Sequence, residues 1–101
     1  MGDRSSIIIS SKHFDSSIRL YGHYSGNQNI EAVKDVMEMG DVRIGDPSYL
    51  TAQLFYRFSQ LGGYEGKLGF GIDAYDDHGE GLDDNPPVYV DADSGDWRIG
   101  L

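Results

Sequence analysis

The stretch from Asp46 to Gly63 limits the fold more than any other part of this chain. It reads Asp-Pro-Ser-Tyr-Leu-Thr-Ala-Gln-Leu-Phe-Tyr-Arg-Phe-Ser-Gln-Leu-Gly-Gly. Asp46 suits an N-cap, because its carboxylate can accept from the unpaired N–H groups of a first helical turn. Pro47 fits the first helical position, where its missing N–H is not needed. Leu50, Leu54, Phe58 and Leu61 then recur at helical spacing with Phe55 beside them, so one face is apolar. Gly62 or Gly63 can supply the left-handed residue that closes the helix. A helix of about four turns with one apolar face must bury that face, and a sheet is the expected partner.

The flanking segments supply that sheet. Ile7–Ser11 has the β-branched composition of a strand. Ile18–Tyr24 alternates, with Ile18, Leu20, Gly22 and Tyr24 on one side and Arg19, Tyr21 and His23 on the other. Turn residues at Asp15 and Ser16 make the pair a hairpin. A first helix is predicted from Gln28 to Met39, with Ile30, Val33, Val36 and Met37 as its apolar stripe and Gly40 as its stop. From Tyr64 to Tyr75 the apolar residues Leu68, Phe70, Ile72 and Ala74 alternate with Lys67, Gly69, Gly71 and Asp73. The glycines point to a bulge or to close packing of another backbone. Val88–Val90 and Trp97–Ile99 flank a turn at Ser94-Gly95. The expected architecture is one α+β domain over residues 1–101 in the order ββααβββ. A mostly antiparallel sheet of about five strands carries two helices on one face. Residues 1–6 are expected to fray, and 76–87 to form an acidic loop.

Charge divides the chain sharply. Its 101 residues carry 17 acids and eight bases, a net charge of −9. Nine of the acids fall between Asp73 and Asp96, a window without Lys or Arg; the remaining eight balance the eight bases. Direct binding to nucleic acid is disfavoured, because its phosphates would be repelled. A basic protein surface or a cation is the better match, and Asp76, Asp77, Asp83 and Asp84 are the candidate contacts. There is no cysteine, which removes disulfides and thiolate metal sites and fits a reducing cytoplasm. Ile7-Ile8-Ile9 is too short an apolar run for a secretory leader, and no stretch approaches a membrane span. The expectation is a protein with no membrane association.

The residues that could carry chemistry form no known signature. Asp91-Ala92-Asp93-Ser94-Gly95-Asp96 has the look of a calcium loop, but such a loop needs glycine at its sixth position, and that position is Asp96. The acidic run around His78 is read as solvated or as a docking surface, so no metal and no cofactor is expected. His13 and His23 could approach each other across the first hairpin, but no carboxylate is spaced to complete a zinc site. The glycines around Gly62 and Gly66 follow a helix instead of preceding one, so they form no phosphate loop. No serine sits in a nucleophile elbow. His23 could act as an acid or base if a pocket lay over the sheet beside Tyr21, and these two are the remaining candidate site residues. Seven tyrosines suit an interface, since tyrosine buries area at low entropic cost and keeps a polar tip.

Four runs stand out together: Tyr21-Gly22-His23-Tyr24-Ser25-Gly26, Gly45-Asp46-Pro47-Ser48-Tyr49-Leu50-Thr51-Ala52, Gly62-Gly63-Tyr64 with Gly69-Phe70-Gly71-Ile72, and Val88-Tyr89-Val90-Asp91-Ala92-Asp93-Ser94-Gly95. In order and spacing the chain resembles, from Ile18 onward, a group of small uncharacterised proteins of actinobacterial bacteriophages. The resemblance implies an accessory protein acting in the host bacterial cytoplasm, and it carries no catalytic residue with it. The leading expectation is a non-catalytic protein that binds a host or phage protein through an acidic surface containing tyrosines, in host takeover or against host defence. A small-molecule binder or enzyme with a pocket near Tyr21 and His23 is the alternative. A structural or oligomeric virion component is the third.

Overall fold

A computed structural model describes residues 4–23, 25–61, 69–75 and 84–100. The element order is β1 (Ser5–Ser10), β2 (Ile18–Gly22), α1 (Gln28–Glu38), α2 (Pro47–Leu61), β3 (Phe70–Ala74), β4 (Val88–Asp91) and β5 (Trp97–Ile99). This is the expected ββααβββ order. The five strands form one mixed sheet in the order β3-β2-β1-β4-β5. Three pairings are antiparallel, and β1 pairs with β4 in parallel. Ile7 and Ile9 of β1 join the core shared with the helices, and Ile8 alternates onto the opposite face. Ile7, Ile8 and Ile9 are all buried.

The register determines which residues share a face. Ile7 lies opposite Leu20 on one side and Val88 on the other, and Ile9 lies between Ile18 and Val90. Ile7, Ile9, Leu20, Val88 and Val90 form the inner face. They join Ala32, Val33 and Val36 of α1 and Leu50, Leu54 and Phe58 of α2 in one core. Both helices therefore serve the same side of the sheet. The periodicity of α2 reads directly into this core. At its start the N–H of Leu50 donates to the Asp46 carbonyl at 2.9 Å, the first helical bond. The capping carboxylate is a looser partner, with the Tyr49 N–H 3.5 Å from Asp46 Oδ1. Gly62 and Gly63, the expected helix stop, lie outside the described residues, as does the 64–68 part of the third expected strand.

Several local expectations are corrected. Residues 5 and 6 do not fray: Ser5 and Ser6 are fully buried in β1. Their hydroxyls are satisfied, Ser5 by Ser25 at 2.6 Å and Ser6 by Arg19 Nε at 3.0 Å. In α1 the buried residues are Asn29, Ala32, Val33 and Val36, while Ile30 and Met37 are only partly covered. Asn29 turns inward because its side-chain N–H groups donate to the Ser6 and Pro86 carbonyls, both at 2.9 Å. That pair of bonds fixes the start of α1 to β1 and to the chain entering β4. Ile72, expected in the core, is 55% exposed; on edge strand β3 it is Phe70 that meets α2, through Phe55 and Phe58. His13 lies in the β1–β2 connection and His23 follows Gly22, which pairs with Ser5 at the other end of the hairpin. The two imidazoles therefore do not approach each other.

Candidate functional site

Among the described residues the helical layer carries a groove. α1 turns Ala32, Val33 and Val36 into the core, which leaves Glu31, Lys34 and Glu38 exposed. α2 buries Leu50, Leu54 and Phe58, which leaves Tyr49 and Tyr56 outside at 49% and 66% exposure. The helices run antiparallel, since Asp35 lies beside Arg57 while Gln53 reaches the linker after α1. Gln53 donates to the Asp41 carbonyl and accepts from the Arg43 N–H, both at 3.1 Å. Arg57 clamps the pair, its Nε and Nη2 each 2.9 Å from Asp35 Oδ2. Between the two helices lies a groove of about 480 Å³. Val36 and Met39 supply apolar wall, Tyr56 stands on the rim, and Asp35, Glu38 and Arg57 supply the charge. Because Arg57 neutralises Asp35, the net charge at the groove comes from Glu38 and, one turn before Asp35 on the same helix face, Glu31. Among the described residues neither glutamate forms an ion pair.

The sheet face turned away from the helices is built differently. Period-two alternation places Arg19, Tyr21 and His23 on it from β2, with Gly71 and Asp73 from β3, Tyr89 from β4 and Arg98 from β5. Guanidinium groups stack on both tyrosines, Arg19 at 4.6 Å from the Tyr21 ring and Arg98 at 4.3 Å from the Tyr89 ring. Tyr21 also meets His23 edge-on, centroids 5.7 Å apart. The tip of the Tyr21 ring fills the space beside Gly71, where an added Cβ would lie 2.3 Å from Cζ and the hydroxyl. Gly71 on the alternate face of β3 thus makes room for a side chain, where a bulge or the close approach of another backbone was expected. Tyr21 and His23 do come together, as a filled and stacked surface; neither lines the α1–α2 groove or the second hollow described next. That hollow, of about 310 Å³, lies at the end of β4 and β5 between Tyr89, Trp97 and Arg98 and the carboxylates of Asp91 and Asp96.

The acidic window is described in part. Asp76, Asp77 and Asp83 lie outside the described residues. Asp84 is exposed at the start of β1, where it accepts from the Arg4 N–H at 2.9 Å with Arg4 Nε at 3.7 Å. Asp73 pairs with Arg19 at 3.4 Å. Asp91 bends the β4–β5 turn, its Oδ1 accepting from the N–H of Asp93 at 2.9 Å. Asp93 reaches the N-terminal hairpin, accepting from the Ser11 hydroxyl at 2.9 Å and the Lys12 N–H at 2.8 Å. The Lys12 N–H is the main cause that holds the Asp93 carboxyl below its ordinary pKa. The Ser11 hydroxyl and the charges of His13 and Lys12 act with it, against the opposing effect of burial. These four carboxylates tie strands and turns together.

Among the described residues no cluster of three or more His, Cys, Asp or Glu is placed to hold a metal ion. No described helix is long and apolar enough to cross a membrane. Sequence reasoning missed Glu31, Glu38, Met39 and Tyr56. Met39 was assigned as the end of α1, and Tyr56 counted only as one of seven tyrosines. The signal was present in the helical positions, since Glu31, Asp35 and Glu38 share a face at spacings of four and three. In comparisons with known proteins, no family model, no curated protein and no solved structure matches this chain.

Proposed function

We propose that this chain is a non-catalytic accessory protein that binds a protein partner through its helical layer, at the groove between α1 and α2. The observation that carries the reading is Tyr56, 66% exposed on the rim of a 480 Å³ groove walled by Val36 and Met39. A large aromatic side chain held in water beside apolar surface is the composition of an interface anchor. The acidic, tyrosine-bearing surface expected from the sequence is thereby reassigned from the 73–96 window to Glu31, Glu38 and Tyr56. Of the described carboxylates of that window, Asp73, Asp84, Asp91 and Asp93 are already engaged within the fold. The resemblance to phage proteins supplies the setting, a phage product in the host cytoplasm directed at host takeover or host defence.

The small-molecule reading loses support because Tyr21 is packed against Gly71, Arg19 and His23. Self-assembly keeps one observation in its favour. Ile72 on β3 and Ile99 on β5, at the two sheet edges, are 55% and 45% exposed, and exposed apolar edges are places where strands add.

The test is capture from an actinobacterial host lysate with the immobilised full chain, comparing wild type, Tyr56→Ala and Arg98→Ala. Capture of a defined protein that Tyr56→Ala abolishes and Arg98→Ala preserves is expected. Loss through Arg98→Ala alone would move the interface to the sheet face. A concentration-dependent mass in light scattering, abolished by Ile72→Ser, would favour self-assembly instead.

A further inference from the structure

We infer that the occupant of the α1–α2 groove is a cationic amphipathic helix, an inference that rests on the reading of the groove as the binding surface. Three features of the surface select that class. The first is shape. Two antiparallel helices leave a furrow along their length, and a third helix can lay an apolar stripe into it. Val36 and Met39 offer the apolar wall, and Tyr56 can fold over an inserted side chain.

The second feature is charge. Asp35 is neutralised by Arg57 at 2.9 Å, whereas Glu31 and Glu38 are exposed and form no ion pair among the described residues. They lie seven positions apart, about 10 Å along the helix axis at about 1.5 Å per residue. A partner helix with Lys or Arg flanking its apolar stripe two turns apart meets both carboxylates. Such pairs at an interface rim set the encounter rate and choose the partner more than they add affinity. The third feature excludes the nearest rival, a second copy of this chain. With a net charge of −9 on each, two copies bring like charge together, and the groove itself carries the same sign.

The probe is a fluorescein-labelled helical peptide of about 18 residues, roughly five turns, with leucine at i, i+3, i+4 and i+7 and lysine on its flanks. A second peptide replaces every lysine with glutamate. Both are titrated with the full chain and followed by anisotropy at low and physiological salt. The lysine peptide should bind, weaken as salt rises, and exceed the glutamate peptide in affinity by about tenfold or more, roughly 1.4 kcal/mol. Glu31→Gln/Glu38→Gln should weaken it by about three- to tenfold and flatten its salt dependence. Asp15→Asn/Asp96→Asn, which removes the same net charge elsewhere, should leave binding unchanged. Tyr56→Ala should cost about tenfold, as a moderate anchor does.

The outcomes separate. If the glutamate peptide binds as well, or the glutamine pair changes nothing while Tyr56→Ala still weakens binding, the cationic class is wrong and the groove stands. If Tyr56→Ala weakens neither peptide, the groove is not the binding surface and both readings fall. If both charge variants weaken the lysine peptide equally, its binding is general attraction to an acidic protein, and the inference is overturned.

Discussion

At the scale of single residues, close packing on the sheet leads to a double-mutant test. Gly71 makes room for the Tyr21 ring tip, and a Cβ there would lie 2.3 Å from it. No real side chain tolerates that distance, so in Gly71→Ala the ring must swing out and give up its seat against β3. Because the obstacle is the end of a side chain and not backbone, the cost should sit at the low end of overpacking, about 1 kcal/mol. In a Tyr21→Ala background the obstacle is gone. Alanine should then be neutral or stabilise by about 0.5 kcal/mol, through the restricted unfolded chain. Chemical denaturation of the four proteins measures the coupling. Additive effects would mean that the ring does not occupy this space in solution.

At the scale of elements, the turn between β4 and β5 offers a pH test. Asp93 joins this turn to Ser11 and Lys12 of the first hairpin. Its carboxyl is held below the ordinary value chiefly by the Lys12 N–H. A group whose pKa is lower folded than unfolded adds stability above its unfolded pKa and loses it as pH falls through the folded value. Wild type should therefore exceed Asp93→Asn in melting temperature near neutral pH, and the two curves should converge below about pH 4. Parallel curves across the whole range would show that the charge on Asp93 contributes nothing. The same turn shows why some of the chain was legible in its sequence and some was not. α2 was legible because cap, proline and apolar spacing are local, and its core positions Leu50, Leu54 and Phe58 follow directly. The strands were legible to within a few residues from alternation. The roles of the acids were not, because their partners lie far off in the sequence: Arg4 and Asp84 are 80 positions apart, Lys12 and Asp93 81, Arg19 and Asp73 54. Asn29 turned inward for the same reason, to meet Ser6 and Pro86. Periodicity within one helix carries no information about such partners. The groove was hidden likewise, since it forms only where α1 and α2 lie side by side.

At the scale of the whole molecule, the question is whether the C-terminal hairpin melts with the rest. β5 is only three residues long and lies at a sheet edge, which by itself favours fraying. Against that stand several ties to distant parts of the chain. β4 pairs in parallel with β1 from Ile7↔Val88 to Ser10↔Asp91. The buried Ala92 donates its N–H to the Ser10 carbonyl at 2.9 Å and accepts from the Gly45 N–H at 2.8 Å, so the turn is bound to both β1 and the linker before α2. Gly95 takes a positive φ of 85°, and Ile44 of that linker packs over it. Trp97 packs against the core. Opening β5 would draw Trp97 away from the core that Val88 and Val90 of β4 join. Apolar burial stabilises by roughly 25 cal/mol per Å², so the seat of Trp97 against the core opposes fraying. One cooperative transition is therefore expected. Trp97 is the only tryptophan, so its fluorescence reports on β5, while far-UV circular dichroism reports mainly on α1 and α2. The two urea transitions should share a midpoint and a slope of about 1–3 kcal/mol/M, the pattern of two-state unfolding. A fluorescence transition at clearly lower urea would show that the hairpin detaches first, and that the bonds of Ala92 and Asp93 do not bind it to the N-terminal strand.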